Sequence, residues 1–434
     1  MEIDTFIDID NIKYRIKDII KEFNNKLIER DEIIPLLILA LYSRQNMFLF
    51  GEPGVSKTYM MRLLASLTGY RDYNINLAEI NSPKEMIGSL SDLNDKNHKN
   101  ILNCDIALLD ELFKAKESGI LHSLLNIIRE KTITLEGKHL KLPLKMVIGA
   151  SNEFPSGKEL EPFDDRFSIR YEVKRILDEN NFINFWEEKY DKDLTFKNII
   201  FNDEITETIK IAPLVKDSKE VLEFIVVLRK KIIEEKLKFS DRAFSDAKKI
   251  LQVNAILNSR TSLNISDVFL FNHIGWRESV GKVRITNIIN ETIFGTSNEI
   301  EIVLNQIEKH KKTIDDQLKG DISLFLNNET KLFNVSVFEN TRDKILELES
   351  EYIEIYNLLN QILDKRASNK YIEATIRENT FIKNYKDTAF KAKHLIKIRI
   401  LKKDTKSHIT TLSKWLMSNQ NIIDYSNNGK QKNS

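Results

Sequence analysis

The stretch of sequence that decides the fold is a short loop, Gly51-Glu52-Pro53-Gly54-Val55-Ser56-Lys57-Thr58. It follows an apolar tetrapeptide typical of a buried strand, Met47-Phe48-Leu49-Phe50, and precedes a helical pattern that begins at Lys57. A glycine-containing loop between a strand and a helix can turn sharply and point its backbone N–H groups inward, where they bind phosphate oxygens. The sequence therefore predicts a phosphate-binding loop here.

Two side chains at the end of this loop have the chemistry that the motif requires. The Lys57 ammonium is expected to reach the β- and γ-phosphates of a nucleotide, and the Thr58 hydroxyl to ligate Mg²⁺. The loop departs from the usual motif at Ser56, where a glycine normally stands. Because this position supplies a backbone N–H, which serine retains, we expect the loop still to bind phosphate.

A second motif supplies two adjacent carboxylates. The apolar run 106–109 ends in Asp110 and Glu111, and ligands of open α/β sheets bind at the carboxyl ends of the strands. Asp110 is expected to hold the Mg²⁺ shell, and Glu111 to orient and polarise the attacking water as general base. A strand that ends in two acids is only moderately specific, so the upstream loop is what favours this interpretation over a solvated strand end.

The arrangement of strand and helix patterns predicts an α/β fold. Besides 47–50, the strand candidates are residues 73–77, 106–109, 146–150 and 169–173. Helical patterns lie between most of them, which is typical of a parallel sheet. We predict an α/β nucleotide-binding domain over 1–174, a helical lid over 175–296, and a helical stalk with a small β module and a basic tail over 297–434. The β module rests on alternating apolar residues at 324–326 and 332–338.

Composition excludes several classes of protein. The formal net charge of +1 gives no overall field toward nucleic acid or a membrane. The single cysteine, Cys104, excludes an internal disulfide framework and is typical of a reducing cytoplasm. No basic flank with an apolar run begins the sequence, and no stretch is long and apolar enough to span a bilayer. We therefore expect a cytoplasmic protein.

Several motifs taken together resemble a known family. They are Leu109-Asp110-Glu111-Leu112-Phe113-Lys114-Ala115, Ala150-Ser151-Asn152-Glu153 and Asp165-Arg166-Phe167-Ser168-Ile169-Arg170. With the phosphate-binding loop they resemble the MoxR branch of the AAA+ ATPases over residues 10–295. The last two stretches, with Ser82-Pro83-Lys84-Glu85-Met86-Ile87-Gly88, are similar to its RavA-like subgroup.

The resemblance implies roles for four further positions. Asn152 would be the sensor 1 amide that hydrogen-bonds the attacking water or the γ-phosphate. Arg166 would be the arginine finger that reaches the nucleotide of a neighbouring subunit, with Arg129 and Arg170 as alternatives. Arg242, in the first turn of a lid helix, would be sensor 2 and contact the γ-phosphate of its own subunit. An insert over 76–103 and a β-hairpin over 129–144 would face a central pore.

The resemblance also implies an activity and partners. These are ATP and Mg²⁺ as cofactors, a homo-oligomeric ring (a hexamer), chaperone-like remodelling of partner proteins, and a partner with a von Willebrand factor A (VWA) domain. Partner choice would lie in 297–434. The basic run 383–406 indicates a solvated face rather than a nucleic-acid site. Three alternatives stay open: a related AAA+ NTPase that uses GTP and drives a nuclease, a non-catalytic nucleotide-binding scaffold, and a nucleic-acid adaptor.

Overall fold

The computed structural model describes residues 8–89, 100–115, 118–155, 160–319, 335–382 and 392–418. It divides into two compact units. The first comprises the described residues up to Thr292 together with residues 374–382, and the second comprises the described remainder. Every residue that the sequence assigns to chemistry belongs to the first unit.

A parallel sheet forms the centre of the first unit. The strands in chain order are β1 Met47–Phe50, β2 Asp72–Asn76, β3 Ile106–Asp110, β4 Thr132–Leu135, β5 Lys138–Lys141, β6 Met146–Ser151 and β7 Ile169–Glu172. Five of them pair in the order β2-β3-β6-β1-β7, all parallel. Apart from Asp110 and Ser151 at their carboxyl ends, the central strands are apolar because both faces of the sheet are covered. The predicted α/β fold is confirmed.

The remaining two strands form the predicted hairpin. β4 and β5 pair antiparallel, with Thr132 opposite Lys141. Their two-residue turn consists of Glu136 and Gly137, with φ angles of 50° and 77°. Positive φ at both central residues is what the common type I′ hairpin turn requires.

Six helices accompany the sheet: α1 Ile9–Lys26, α2 Ile33–Tyr42, α3 Lys57–Thr68, α4 Pro83–Ile87, α5 Ser118–Glu130 and α6 Glu161–Asp164. The Asp8 side chain caps α1 by accepting from the Asn11 N–H at 3.0 Å. All ten residues of α2 are buried, as expected for a helix that is apolar on every side. Part of the predicted insert over 76–103 lies outside the described residues.

The lid region is helical as predicted. Its elements are α7 Glu179–Trp186, α8 Asn202–Ile211, α9 Lys219–Glu234, α10 Asp241–Leu257, a 3₁₀-helix at Ile265–His273, and α11 Ser279–Phe294. Ser240 caps α10, since its hydroxyl accepts from the Ala243 N–H at 3.1 Å. Residues 374–382 pack against this region, where the Asn379 amide donates to Ser266 Oγ at 3.1 Å.

The second unit is built from α12 Ser297–Lys319, most of α13 Val335–Glu378, and α14 Ala392–Ser418. A buried cation joins these helices: Lys311 Nζ lies 2.7 Å from Asp315 and 2.5 Å from Asp404. The Tyr352 hydroxyl donates to the same Asp315 at 2.5 Å. Among the described residues, no helix is both long and apolar enough to cross a membrane.

The predicted β module is wrong in part. Residues 324–326 and 332–334 lie outside the described residues, but residues 335–338 form the first turn of α13 instead of a strand. The prediction rested on alternating apolar residues with two valines. Because valine disfavours a helix by only about 0.5 kcal/mol, such a short pattern is easily overridden by continuation of a long helix.

Candidate functional site

The phosphate-binding loop leaves the carboxyl end of β1 and enters α3. The Gly51 N–H donates to the Ser151 carbonyl at 3.0 Å, which fixes the loop to the end of β6. A Cβ atom on Gly51 would lie 2.4 Å from the Val173 carbonyl oxygen, so only glycine fits there. Lys57 Nζ donates to the carbonyls of Gly51 and Glu52, at 2.8 and 3.3 Å. The loop therefore curls around the lysine that is expected to bind phosphate.

Ser56 shows why this motif usually has glycine before the lysine. Its backbone is left-handed, with φ 69° and ψ 19°, a conformation that costs a residue with a side chain about 1–2 kcal/mol. Serine retains the backbone N–H that the loop needs at this position. The structure adds a conformational requirement, which serine meets at a cost.

The two acids lie at the carboxyl end of β3, two strands from the loop. Asp110 Oδ1 accepts from the Glu111 N–H at 3.0 Å. Glu111 is already past the strand, with φ 51°. Burial lowers the pKa of Lys57, and the charges of Asp110 and Glu111 act to raise it. The lysine and both carboxylates are thus close enough to share one ligand.

Asn152 follows the end of β6, the strand between β1 and β3. Its side chain is exposed. Lys114 joins this region to the acids, since its Nζ lies 3.0 Å from Glu111 Oε2 and 3.4 Å from Glu153 Oε1. The hydrogen bond to Glu111 raises the pKa of Lys114. We call these three adjacent strand ends the carboxyl edge; it brings Lys57, Asp110 and Asn152 together.

The arginines lie at the opposite, amino edge of the sheet, where β1, β6 and β7 begin. Arg166 precedes β7, and its Nε donates to the Leu125 carbonyl at 3.0 Å. Arg242 lies beside it and donates to Asp165 Oδ2 at 2.8 Å. Burial, followed by the charges of Arg242 and Arg129, lowers the pKa of Arg166. We call Arg129, Arg166 and Arg242 the arginine cluster.

The arginine cluster is remote from the carboxyl edge of its own chain. A four-residue strand such as β1 spans about 13 Å, and Arg166 and Lys57 lie beyond its opposite ends. In this structure Arg242 pairs with Asp165, which holds it next to Arg166. Its expected contact with the nucleotide of its own subunit stays a prediction.

Arg170 has a structural role. Its side chain is 1% exposed, and its Nη1 donates to Asp164 Oδ1 at 2.7 Å. Its guanidinium also lies 5.6 Å from the centre of the Phe48 ring. An arginine enclosed in this way cannot reach another copy of the chain, which leaves Arg166 and Arg129 as candidates for the arginine finger.

Asn46, just before β1, holds the amino edge together. Its Nδ2 donates to the carbonyls of Ile128 and Arg166, at 2.8 and 3.1 Å. Its Oδ1 accepts from the Val147 N–H at 3.1 Å and from Lys131 Nζ at 2.8 Å. One buried amide therefore connects α5, the arginine segment and the beginning of β6.

A cavity of about 240 Å³ lies beside the phosphate-binding loop. Its lining includes Leu27, Ile28, Ser56, Tyr59, Phe185 and Tyr190. The Tyr59 hydroxyl is buried without a hydrogen-bond partner in the described part of the chain. The sequence did not reveal this cavity, because its walls come from three stretches that are distant along the chain and carry no motif. Lys26, Arg30 and Lys192 also line the cavity, whose surface is otherwise mainly apolar. A mainly apolar cavity with such a hydroxyl suits a nucleotide base.

A Mg²⁺ ion bound with a nucleotide needs few protein ligands. Among the described residues, no group of three or more His, Cys, Asp or Glu side chains could hold a metal ion. Mg²⁺ in nucleotide sites usually takes one or two protein oxygens and completes its shell with substrate phosphates and water. Thr58 in the first turn of α3 and Asp110 at the carboxyl edge fit that pattern.

The fold and this edge define a P-loop nucleotide-binding protein, and comparison with known proteins identifies the branch. A family described as the MoxR domain of MoxR-vWA-beta-propeller ternary systems matches residues 14–208. A family described as an AAA lid domain matches residues 220–289, so that the two together cover more than half of the chain. The chain belongs to the MoxR-type AAA+ ATPases.

Individual relatives match over most of the chain. Two uncharacterised proteins of Methanocaldococcus jannaschii are 28% and 27% identical to the chain. The alignments cover 86% and 83% of this chain and 97% and 100% of the relatives. A crystal structure of a candidate ATPase from Cytophaga hutchinsonii superposes with a TM-score of 0.53 at 18% identity, over 65% of this chain and 95% of that one. This last similarity supports the fold alone.

Proposed function

We propose that the chain hydrolyses ATP in a ring of identical copies and uses the energy to remodel a partner protein. The separation of the two edges is the observation that carries the proposal. The carboxyl edge presents Lys57, Asp110 and Asn152, whereas the arginine cluster lies at the other end of the strands. A complete hydrolytic site then requires the carboxyl edge of one copy and the arginine cluster of the next.

Each residue of the carboxyl edge has a part in this chemistry. The loop N–H groups and Lys57 bind the phosphates. Thr58 and Asp110 would hold Mg²⁺, which would supply positive charge to the phosphates when bound. Glu111 takes the proton of the attacking water, and Asn152 orients that water. The Lys114 ammonium, 3.0 Å from Glu111 Oε2, holds that carboxylate in place.

The arginine cluster supplies positive charge in trans. The Arg166 guanidinium would stabilise the transferring phosphoryl group of the neighbouring copy, and Arg242 would contact the same nucleotide because it lies beside Arg166. This arrangement changes the expected role of Arg242 from its own subunit to the adjacent one.

The cavity beside the phosphate-binding loop, which we call the base cavity, favours a purine nucleotide as the ligand. Its apolar walls and the aromatic rings of Tyr59 and Phe185 provide stacking surface. We propose ATP as the nucleotide. A preference for GTP would instead favour the alternative of an AAA+ NTPase that drives a nuclease.

The partner is proposed from the family. The matched family is described by its occurrence in MoxR-vWA-beta-propeller systems, so we propose a partner with a VWA domain, a chaperone-like action on it, and membership of the RavA-like subgroup. The second unit, with its three helices, is the proposed place of partner choice. A hexamer is the proposed ring.

The decisive experiment measures phosphate release from ATP and from GTP by the wild type and Glu111→Gln. We expect ATP to be preferred, and the variant to lose about 10²–10⁴ in kcat while it still binds nucleotide in a fluorescence titration. Glu207→Gln, at a half-buried carboxylate on α8 that pairs with Lys210, is the matched control. Unchanged turnover in Glu111→Gln would contradict the proposal. A partner retained on Glu111→Gln in a pull-down, and absent from Lys57→Ala, would identify the client.

A further inference from the structure

Helix α7 exposes an apolar face that the first unit leaves uncovered. None of its eight residues is buried. Phe182, Ile183 and Trp186 are 51%, 51% and 77% exposed, and Leu177 just before the helix is 74% exposed. Contiguous exposed apolar surface of this kind marks an interaction site.

The α7 face lies next to the carboxyl edge and has an acidic rim. Phe185, from the same helix, lines the base cavity together with Ser56 and Tyr59. Residues 178–193 contain six acidic and two basic side chains. A partner for this face should therefore be apolar in the middle and basic around it.

Helix α9 of the lid has a second apolar stripe that matches this description. Its inner stripe is buried and consists of Val221, Phe224, Leu228 and Ile232. Its outer stripe repeats at helical spacing with Leu222, Val226 and Ile233, which are 49%, 69% and 58% exposed. Both stripes are apolar, although a lid helix packed on one side needs only one.

The outer stripe is bordered by basic residues and lies beside the arginine cluster. Arg229 occupies the stripe between Val226 and Ile233. Lys219 and Lys230 flank it along the helix and pair with Glu223 and Glu234 on their outer side, and Lys236 follows the helix end. The Arg229 guanidinium lies 3.9 Å from Asp241, the residue before Arg242. The stripe therefore presents the chemistry that the α7 face needs, at the opposite edge of the same unit.

We propose that the α7 face of one copy docks on the outer stripe of α9 of the next copy. This contact rests on the proposed function, because it brings the arginine cluster of one copy to the carboxyl edge of its neighbour. The two faces differ, so the contact is head-to-tail and repeats from copy to copy, which closes a ring when the rotation allows. A symmetric pairing of two α7 faces would instead set two acidic rims against each other.

Cross-linking between single-cysteine positions tests this contact. The native Cys104 is buried, and burial raises its pKa to about 12, so it does not react at neutral pH. We place cysteines at the exposed positions Ile183→Cys and Val226→Cys and treat the proteins with a short bis-maleimide in the presence of ATP. Thermal melting of each variant checks that it is folded.

The head-to-tail arrangement gives a specific pattern of products. A mixture of the two single variants should form cross-linked dimers, while each variant alone should not. The double variant should give a ladder whose highest band counts the copies in the ring. Tyr14→Cys, exposed on α1, mixed with Val226→Cys is the matched control and should remain monomeric on the gel.

The outcomes separate this inference from the proposed function. Cross-linked dimers from Ile183→Cys alone would show a symmetric contact and overturn the inference. ATP hydrolysis by an assembled ring that gives no mixed dimers would also overturn it and leave the proposed function standing. Mixed dimers in a protein that does not hydrolyse ATP would support the contact and contradict the proposed function.

Discussion

The two edges of the central sheet carry opposite kinds of chemistry. At the carboxyl edge, backbone N–H groups, a lysine and two carboxylates stand close together because parallel strands end there. At the amino edge, three arginines gather and are held by carbonyls and by Asp165. The contrast supports the proposal that one copy holds both halves of the site at opposite ends of its strands and needs a neighbour to join them.

The largest expected effect tests that separation directly. Arg166→Ala should lower kcat by about 10³-fold or more, because an arginine finger contributes that much to phosphoryl transfer, while nucleotide binding changes little. Mixing Arg166→Ala with Lys57→Ala should restore measurable phosphate release, since mixed contacts combine an intact loop with an intact arginine.

The mixing experiment has a clear opposite outcome. If Arg166 served its own chain, no mixture of these two inactive variants would recover activity. Arg71→Ala removes an arginine that pairs with Asp105 at 3.3 Å at the same edge of the sheet, and it should keep nearly full turnover.

A smaller effect is expected at Tyr59, in the cavity beside the phosphate-binding loop. Tyr59→Phe removes a buried hydroxyl that lacks a partner among the described side chains. An unsatisfied buried polar group is costly, so the free protein should melt at the same or a higher temperature, whereas nucleotide affinity should fall by about fivefold through loss of one hydrogen bond.

An unchanged or raised melting temperature together with a lowered nucleotide affinity would identify Tyr59 as a ligand-binding residue. Isothermal titration with ATP measures the affinity, and a thermal melt of the free protein measures the melting temperature. Tyr14→Phe, an exposed tyrosine on α1, should change neither. A Tyr59→Phe affinity equal to that of the wild type would show that the Tyr59 hydroxyl does not bind the nucleotide.

The smallest effect concerns the conformation of the loop itself. Ser56→Gly should stabilise the protein by about 0.5–1 kcal/mol, because glycine adopts the left-handed conformation of this position without the cost of a side chain. Urea unfolding measures the difference. In Ser245→Gly, within α10, the same replacement at a helical position should destabilise by about 0.5 kcal/mol. A destabilised Ser56→Gly variant would show that the serine side chain has a role of its own.

Much of the first unit could be predicted from sequence because its signals are local. The loop 51–58, the acids after β3 and the turn at Glu136 each depend on residues that are neighbours along the chain. Buried strands also read directly as apolar runs. The family resemblance then connected these motifs, and the matched families confirm its MoxR part.

What the sequence did not reveal depends on residues brought together by folding. The pairing of Arg242 with Asp165 joins the lid to the segment before β7, and no spacing in the sequence predicts this contact. The base cavity is assembled from three distant stretches. In the second unit, the contact of Lys311 with Asp404 spans more than ninety residues. Such contacts are set by packing, which a one-dimensional pattern does not encode.

The Asn46 amide has a mechanical consequence for a ring. It donates to the Arg166 carbonyl and accepts from the Val147 N–H near the start of β6, and Asn46 itself directly precedes β1. Those same strands end at the phosphate-binding loop and at Asn152. Any displacement of Arg166 by an adjoining copy must therefore pull on the strands that hold this copy's own nucleotide groups. ATP hydrolysis at neighbouring sites would then be coupled through the Asn46 side chain, which contacts neither nucleotide.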